Sequence, residues 1–209
     1  QPGQDAERTF EMACGVIRRT MLQPRLDKID LWRYEQIATY CVGRTLDVAC
    51  GLGGLRRFLP GDRYLGCDLA GGAVRCSAYD LPFRIMSFDT VVLGELLEHL
   101  EMPFAALKEA GRVCRKRMII TVPNNYSLVR LNRLLLGRPV EIEKEHILSF
   151  NSRNLAIMLG GIGMQVIESF CYPLRLQLLP EIPVRSRFGY WVFVIADRVP
   201  GPCKNGTVG

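Results

Sequence analysis

Residues 45–55 read TLDVACGLGGL, a short apolar run that carries an acid at its third position and then breaks into glycines. Branched and apolar side chains favour a buried strand, and glycines directly behind it favour a tight turn that lets backbone approach a ligand closely. In an open α/β sheet the ligand sits beyond the carboxyl ends of the strands, where the strand order reverses. Asp47 and the loop Cys50-Gly51-Leu52-Gly53-Gly54 are therefore expected to line a site. A dinucleotide fingerprint needs a glycine where Arg56 stands, and a phosphate loop needs a G-K-[ST] that does not follow. An acid at the strand end would also repel a pyrophosphate. The residues ask for a nucleoside-like, phosphate-free, positively charged ligand.

The neighbouring stretches agree. RYLGCDLA, 63–70, places Asp68 at the end of a second strand, where a carboxylate can accept hydrogen bonds from two vicinal ribose hydroxyls. Residues 78–100, AYDLPFRIMSFDTVVLGELLEHL, add Asp80 ahead of Leu81-Pro82-Phe83 and then a strand from Asp89 that opens into Gly94-Glu95. S-adenosylmethionine, with its sulfonium, ammonium and ribose, satisfies these requirements.

Composition allows one compact domain: 209 residues, 48% hydrophobic and 23% charged. A formal charge of +6 falls short of a nucleic-acid-binding tail, so no nucleic-acid partner is expected. The 8 cysteines form no CxxC pair and read as reduced core thiols of a cytoplasmic protein. No stretch reaches the ~20 apolar residues of a membrane span. The opening QPGQDAERTF has no signal-peptide profile, and the start at Gln1 leads us to expect that an upstream piece was removed.

Helix-like and strand-like segments alternate, which predicts a parallel α/β sheet. Helices are expected at 5–22 and 28–41, the second with Leu31, Tyr34, Ile37 and Ala38 on one face, and further helices at 53–59, 95–115 and 152–160. Strands are expected at 45–49, 63–67, 74–77, 89–93, 117–122, 164–170 and 190–197, the last two as an antiparallel pair at one edge.

Taken together, LDVACGLG, GCDLA, DLPF, SFD, LLEHL, ITVPN and EHILSF, spread over about 44–170, resemble class I S-adenosylmethionine-dependent methyltransferases of the small type found in ubiquinone, natural-product and glycan pathways. The resemblance implies a Rossmann-like, three-layer α/β/α domain. It places Asp47, Cys50, Gly51 and Gly53 around the methionine part of the cofactor, Asp68 on the ribose and Leu69 against the adenine face. Asp80 and Leu81 would meet the adenine edge, and Gly94 and Glu95 the methyl-donor side. Ala49 stands where the family often has glycine. The 11 residues between Asp68 and Asp80 are too few for the usual helix and strand, so that helix is expected to be missing. Cys114-Arg115-Lys116-Arg117 replaces the usual Pro-Gly-Gly, which predicts a tight connection into the fifth strand.

The two histidines are the natural candidates for acid–base work. His146 can serve as general base for an acceptor hydroxyl, or as a loop histidine that positions a lid. His99 follows Glu95 and Glu98 at helical spacing. In ubiquinone-pathway O-methyltransferases an E-x-x-E-H here is linked to a divalent cation, yet LEH is widespread in relatives without metal, and no metal is assigned. Residues 1–43 are expected to cover the sheet and 123–150 to form an acceptor lid. Within it 126–136 patterns as a helix, with Leu128, Leu131, Leu134 and Leu135 on one face and Arg130 and Arg133 elsewhere. That pattern fits either solvated arginines or a basic, apolar surface for a lipid-linked acceptor, with peripheral contact at the inner membrane surface through 126–138. The expected activity is methyl transfer, O-methylation first, to a small-molecule or glycan acceptor. The alternative is a cofactor-binding scaffold without catalysis.

Overall fold

The computed structural model describes residues 27–140, 146–175 and 180–200. The helix expected at 5–22 lies outside them. Helix α1, Lys28–Tyr40, starts where the Asp27 side chain accepts from Asp30 N at 2.8 Å. Its buried stripe is Ile29, Arg33 and Ile37, not the face centred on Leu31 and Tyr34, so a charged residue occupies the middle of the inward face.

Seven strands follow: β1 Thr45–Val48, β2 Tyr64–Asp68, β3 Val74–Arg75, β4 Phe88–Gly94, β5 Cys114–Pro123, β6 Met164–Tyr172 and β7 Trp191–Arg198. They form one sheet in the order β3-β2-β1-β4-β5-β7-β6. Strands β1 to β5 pair in parallel, and β7 is antiparallel to both β5 and β6. The expected edge pair is thus present, with β7 inserted between β5 and β6. The order reverses between β1 and β4, and a crevice opens there at their carboxyl ends. Strand β1 is buried throughout, as helices or turns on both faces of a parallel sheet require.

Helix α2, Pro103–Val113, is shorter than the expected 95–115. Pro103 lacks an N–H and steers Met102 out of the helical region, so only a 3-10 turn, Leu97–His99, precedes it. Its last residue runs directly into β5 at Cys114, the tight connection expected there. The segment expected as a helix at 53–59 is a single 3-10 turn, Gly54–Arg57, confined between Gly53 in the left-handed region and Pro60. Between β2 and β3 the chain turns through Gly71 and Gly72 without a helix, as the short spacing predicted.

Helix α3, Leu128–Leu135, begins at Ser127, and α4, Ser152–Gly160, at Asn151, each a side-chain cap. The orientation of α3 reverses one expectation. Val129 and Arg130 face inward, whereas Leu131, Leu134, Leu135 and the following Leu136 are exposed. Arg130 is only 4% exposed and is no solvated charge. Cys41, Cys50, Cys67, Cys76, Cys114 and Cys171 are unbridged. No helix among the described residues is long and apolar enough to cross a membrane.

Candidate active site

Glycines and acids gather at the carboxyl ends of β1 and β2. Gly51 and Gly53 have φ of +51° and +70°, conformations that side chains resist. Ala49 adopts φ +56°, a left-handed conformation that glycine would reach without strain; an alanine there costs about 1–2 kcal/mol. Asp68 holds the loop from the adjacent strand. Its Oδ2 accepts from Gly51 N at 2.9 Å and its Oδ1 from Ala70 N at 3.0 Å. Leu69 beside it is exposed. A cavity of about 390 Å³ opens along this loop, lined among others by Cys50, Gly51, Gly53, Tyr64 and Gly72.

Asp47 lies beneath the loop, 5% exposed, and accepts from Tyr64 Oη at 2.9 Å. Burial raises its carboxyl to about 7, opposed by the Tyr64 hydrogen bond and the Arg33 charge. A raised acid stabilises the fold least when ionised. Its contribution is fully present below the unfolded value of 3.8 and is lost as pH climbs to about 7, on the order of a few kcal/mol. Asp47→Asn should therefore flatten the fall in melting temperature between pH 4 and 7. An unaltered slope would show that Asp47 is not the buried acid responsible. Cys50 is pushed up to about 11, by burial first and then by the Asp47 charge, so it is a neutral thiol and not a nucleophile.

Asp80 is exposed on the turn after β3, its N–H bonded to Ser77 O at 3.1 Å. Leu81 is not brought to the surface: its side chain is 2% exposed, its N–H is held by Glu109 Oε1 at 2.9 Å and its carbonyl by Arg112 Nη2 at 2.8 Å.

A second cavity, about 300 Å³, lies past the ends of β4 and β5 and is lined by Arg33, Glu95, Arg130, His146 and Trp191 among others. Glu95 has φ +52°, a left-handed conformation rare outside glycine and typical of functional sites. It is fixed by Glu95 N donating to Thr121 O at 2.9 Å and by Trp191 Nε1 donating to its Oε2 at 2.7 Å. Arg33 is 7% exposed, donates to Asp30 Oδ1 at 3.3 Å, and has Trp191 and Tyr34 rings 5.1 and 4.8 Å from its guanidinium carbon. Burial works against its charge, yet Glu95, Tyr34 and Asp30 together raise its pKa. A Cβ on Gly94 would stand 3.4 Å from Arg33 Nη1, which shows how closely the guanidinium overlies the end of β4.

The helical E-x-x-E-H grouping does not form, because residues 95 and 96 are not helical. Glu95 turns to Trp191, while His99 meets His146 with ring centroids 4.7 Å apart. The 146 segment is pinned there by Ile147 and Leu148 N–H groups on Glu98 O at 2.9 and 3.2 Å. Ligand atoms of Glu98, His99 and His146 all lie within 4.8 Å of one another, a grouping able to hold a cation.

Sequence reasoning missed Arg33, Tyr64, Arg175 and Trp191. For Arg33 a sign was present: it sits four residues from both Ile29 and Ile37, a charge within an apolar stripe. Tyr64 and Trp191 read simply as strand residues, and their partners lie 17 and 96 residues away.

The sheet order, glycine-broken first loop and acid ending β2 define the class I methyltransferase fold. Residues 46–121 match the family model for a methyltransferase domain. A possible histamine N-methyltransferase from Thermotoga maritima superposes with TM-score 0.69 at 18% identity, covering 91% of this chain and 98% of that one. Magnesium protoporphyrin IX methyltransferase from Synechocystis PCC 6803, with bound S-adenosylhomocysteine, gives 0.61 at 15% identity, covering 87% and 92%. A methyltransferase in complex with the Haloferax volcanii Trm112 activator gives 0.61 at 14% identity, covering 92% and 96%. No curated protein matches by sequence. The chain thus has the class I methyltransferase fold, and its residues 46–121 match a methyltransferase domain.

Proposed function

We propose that the protein transfers a methyl group from S-adenosylmethionine to a hydroxyl of a small-molecule or glycan acceptor seated in the cavity past β4 and β5. The observation that carries this reading is the presence of His146, backed by His99, on the same cavity as Glu95 and Arg33. The acceptor oxygen forms its bond to the methyl carbon as the C–S bond breaks in line. The hydroxyl proton passes to His146, and S-adenosylhomocysteine leaves. Most of the acceleration comes from holding the two reactants at near-attack distance away from water.

In this reading Asp68 binds the ribose, Leu69 and Asp80 meet the adenine, and Gly51, Gly53, Gly94 and Glu95 enclose the methionine part. Asp47 and Cys50 support the loop from below. Leu81 serves by fixing Asp80 through its own backbone bonds to Glu109 and Arg112. Residues 123–150 act as the acceptor lid. The exposed Leu131, Leu134, Leu135 and Leu136 support peripheral membrane contact through 126–138, which co-sedimentation with anionic vesicles checks.

Arg33 is assigned here to the cofactor's carboxylate, because it is the buried cation that overlies Gly94. Arg33→Ala should weaken S-adenosylhomocysteine binding about 10- to 100-fold, the range for a charge-assisted hydrogen bond. Affinity for 5′-methylthioadenosine, which lacks the amino-acid end, should stay unchanged. Equal losses for both ligands in calorimetry would reduce Arg33 to a packing residue.

A further inference from the structure

Helix α3 and the loop 182–188 leave apolar side chains outside the fold although both are fastened to it. In α3, Leu131 and Leu135 stand four residues apart on the outer face, and Leu135 is 77% exposed. In the loop, Val184 and Phe188 are exposed while Arg185 between them is locked: it pairs with Glu168, donates to Tyr40 Oη at 2.6 Å and has the centre of the Phe170 ring 3.8 Å from its guanidinium carbon. Ser186 N adds a bond to Cys171 O at 3.0 Å. The two elements are also joined to each other, Leu128 N donating to Phe188 O at 3.2 Å and Asn124 Nδ2 to Arg187 O at 3.1 Å. Tyr126, between those two anchoring residues in sequence, is 68% exposed. Helix and loop thus present one surface.

A fold gains nothing by holding a group of large apolar side chains in water, so a fastened apolar surface marks a contact. Its charge says with what. Residues 126–140 and 182–190 contain Arg130, Arg133, Arg138, Arg185 and Arg187 and no acid. The exposed Arg138 and Arg187 make no ion pair among the described residues. A second copy of this chain, itself at +6, would set like charges face to face, whereas anionic headgroups over an acyl layer match both the arginines and the leucines. The surface also borders the cavity past β4 and β5, because Arg130 of α3 and Tyr190 behind the loop both line it. Resting on the methyl-transfer reading above, we propose that α3 and the 182–188 loop together dock on an anionic bilayer and that the acceptor is a membrane-borne amphiphile whose head enters the cavity from that face. The cavity, about 300 Å³, then holds only the head, while the apolar part of the acceptor stays in the lipid.

The test is co-sedimentation of the full chain with vesicles of phosphatidylcholine alone and of phosphatidylcholine mixed with phosphatidylglycerol. Binding to the mixed vesicles should be about tenfold or more stronger at low salt and should fall as salt shortens the Debye length. Leu135→Ser and Phe188→Ser should each weaken it about fivefold or more, with the melting temperature unchanged because both side chains are exposed. Ile157→Ser, at an exposed apolar position on α4, should leave binding as it is. Equal binding to the two vesicles, binding to neither, or full binding by Phe188→Ser would overturn the docking surface. Self-association lost in the same variants, without vesicle binding, would overturn it too and assign the face to a second copy. Labelled S-adenosylmethionine supplied with membrane and soluble fractions of the source cells should pass its methyl group into solvent-extracted lipid; label confined to the soluble fraction would overturn the membrane-borne acceptor. Label in neither fraction, or failure of the parent protein to bind S-adenosylhomocysteine in its own titration, would instead count against the methyl-transfer reading.

Discussion

Asp68→Ala is expected to weaken S-adenosylmethionine binding by about 1.5–3 kcal/mol, roughly 10- to 150-fold. In the proposed reading the carboxylate accepts from both ribose hydroxyls. It also already holds the glycine loop through Gly51 N at 2.9 Å and the following turn through Ala70 N at 3.0 Å. A carboxylate has about four acceptor positions, so two backbone bonds leave room for two from the ribose. Removing it therefore takes away ligand contacts and loosens the loop that encloses the methionine part. Asp68→Asn keeps one acceptor oxygen and should lose less. Calorimetry beside a melting curve separates binding from folding; unchanged affinity in a folded Asp68→Ala protein would contradict the ribose assignment.

His146→Ala is expected to lower turnover about 100-fold or more, the range for a lost general base, with cofactor affinity nearly unchanged. Two observations make His146 the candidate. It lines the cavity past β4 and β5, and its ring packs at 70° against His99, which holds it in place. If His146 only positioned the lid through the Ile147 and Leu148 bonds to Glu98, the variant would raise the acceptor Michaelis constant with little change in kcat. His99→Ala should give a smaller loss, because it acts by orienting His146. A parallel fall in turnover and cofactor affinity would mark His146 as structural.

The loop and strand ends proposed to hold the cofactor were legible in sequence because their chemistry is local. Each strand that matters ends in its own acid or glycine, so Asp47, Gly51, Gly53, Asp68 and Gly94 can be placed by reading strand ends alone. The missing helix after β2 followed from chain length, since 11 residues cannot supply it. The proposed acceptor half was less legible, because it is assembled from remote segments: Arg130, His146 and Trp191 meet only in the folded chain. Helix α3 shows the limit most clearly. Its leucine periodicity is real, but periodicity does not say which face turns inward, and here the cavity beneath it takes Arg130 while the leucines face out. The helix expected from 95 failed on a local cue, the Pro103 that forces the true start.

In the proposed reading the loop 49–54, fastened by Asp68, cradles S-adenosylmethionine. Calorimetric titration of the unaltered protein with S-adenosylhomocysteine and, separately, with NADH tests it most directly. Saturable binding of S-adenosylhomocysteine at one site per chain is expected, with no binding of NADH, whose pyrophosphate Asp47 and the absent third glycine disfavour. Binding of NADH with none of S-adenosylhomocysteine would contradict it.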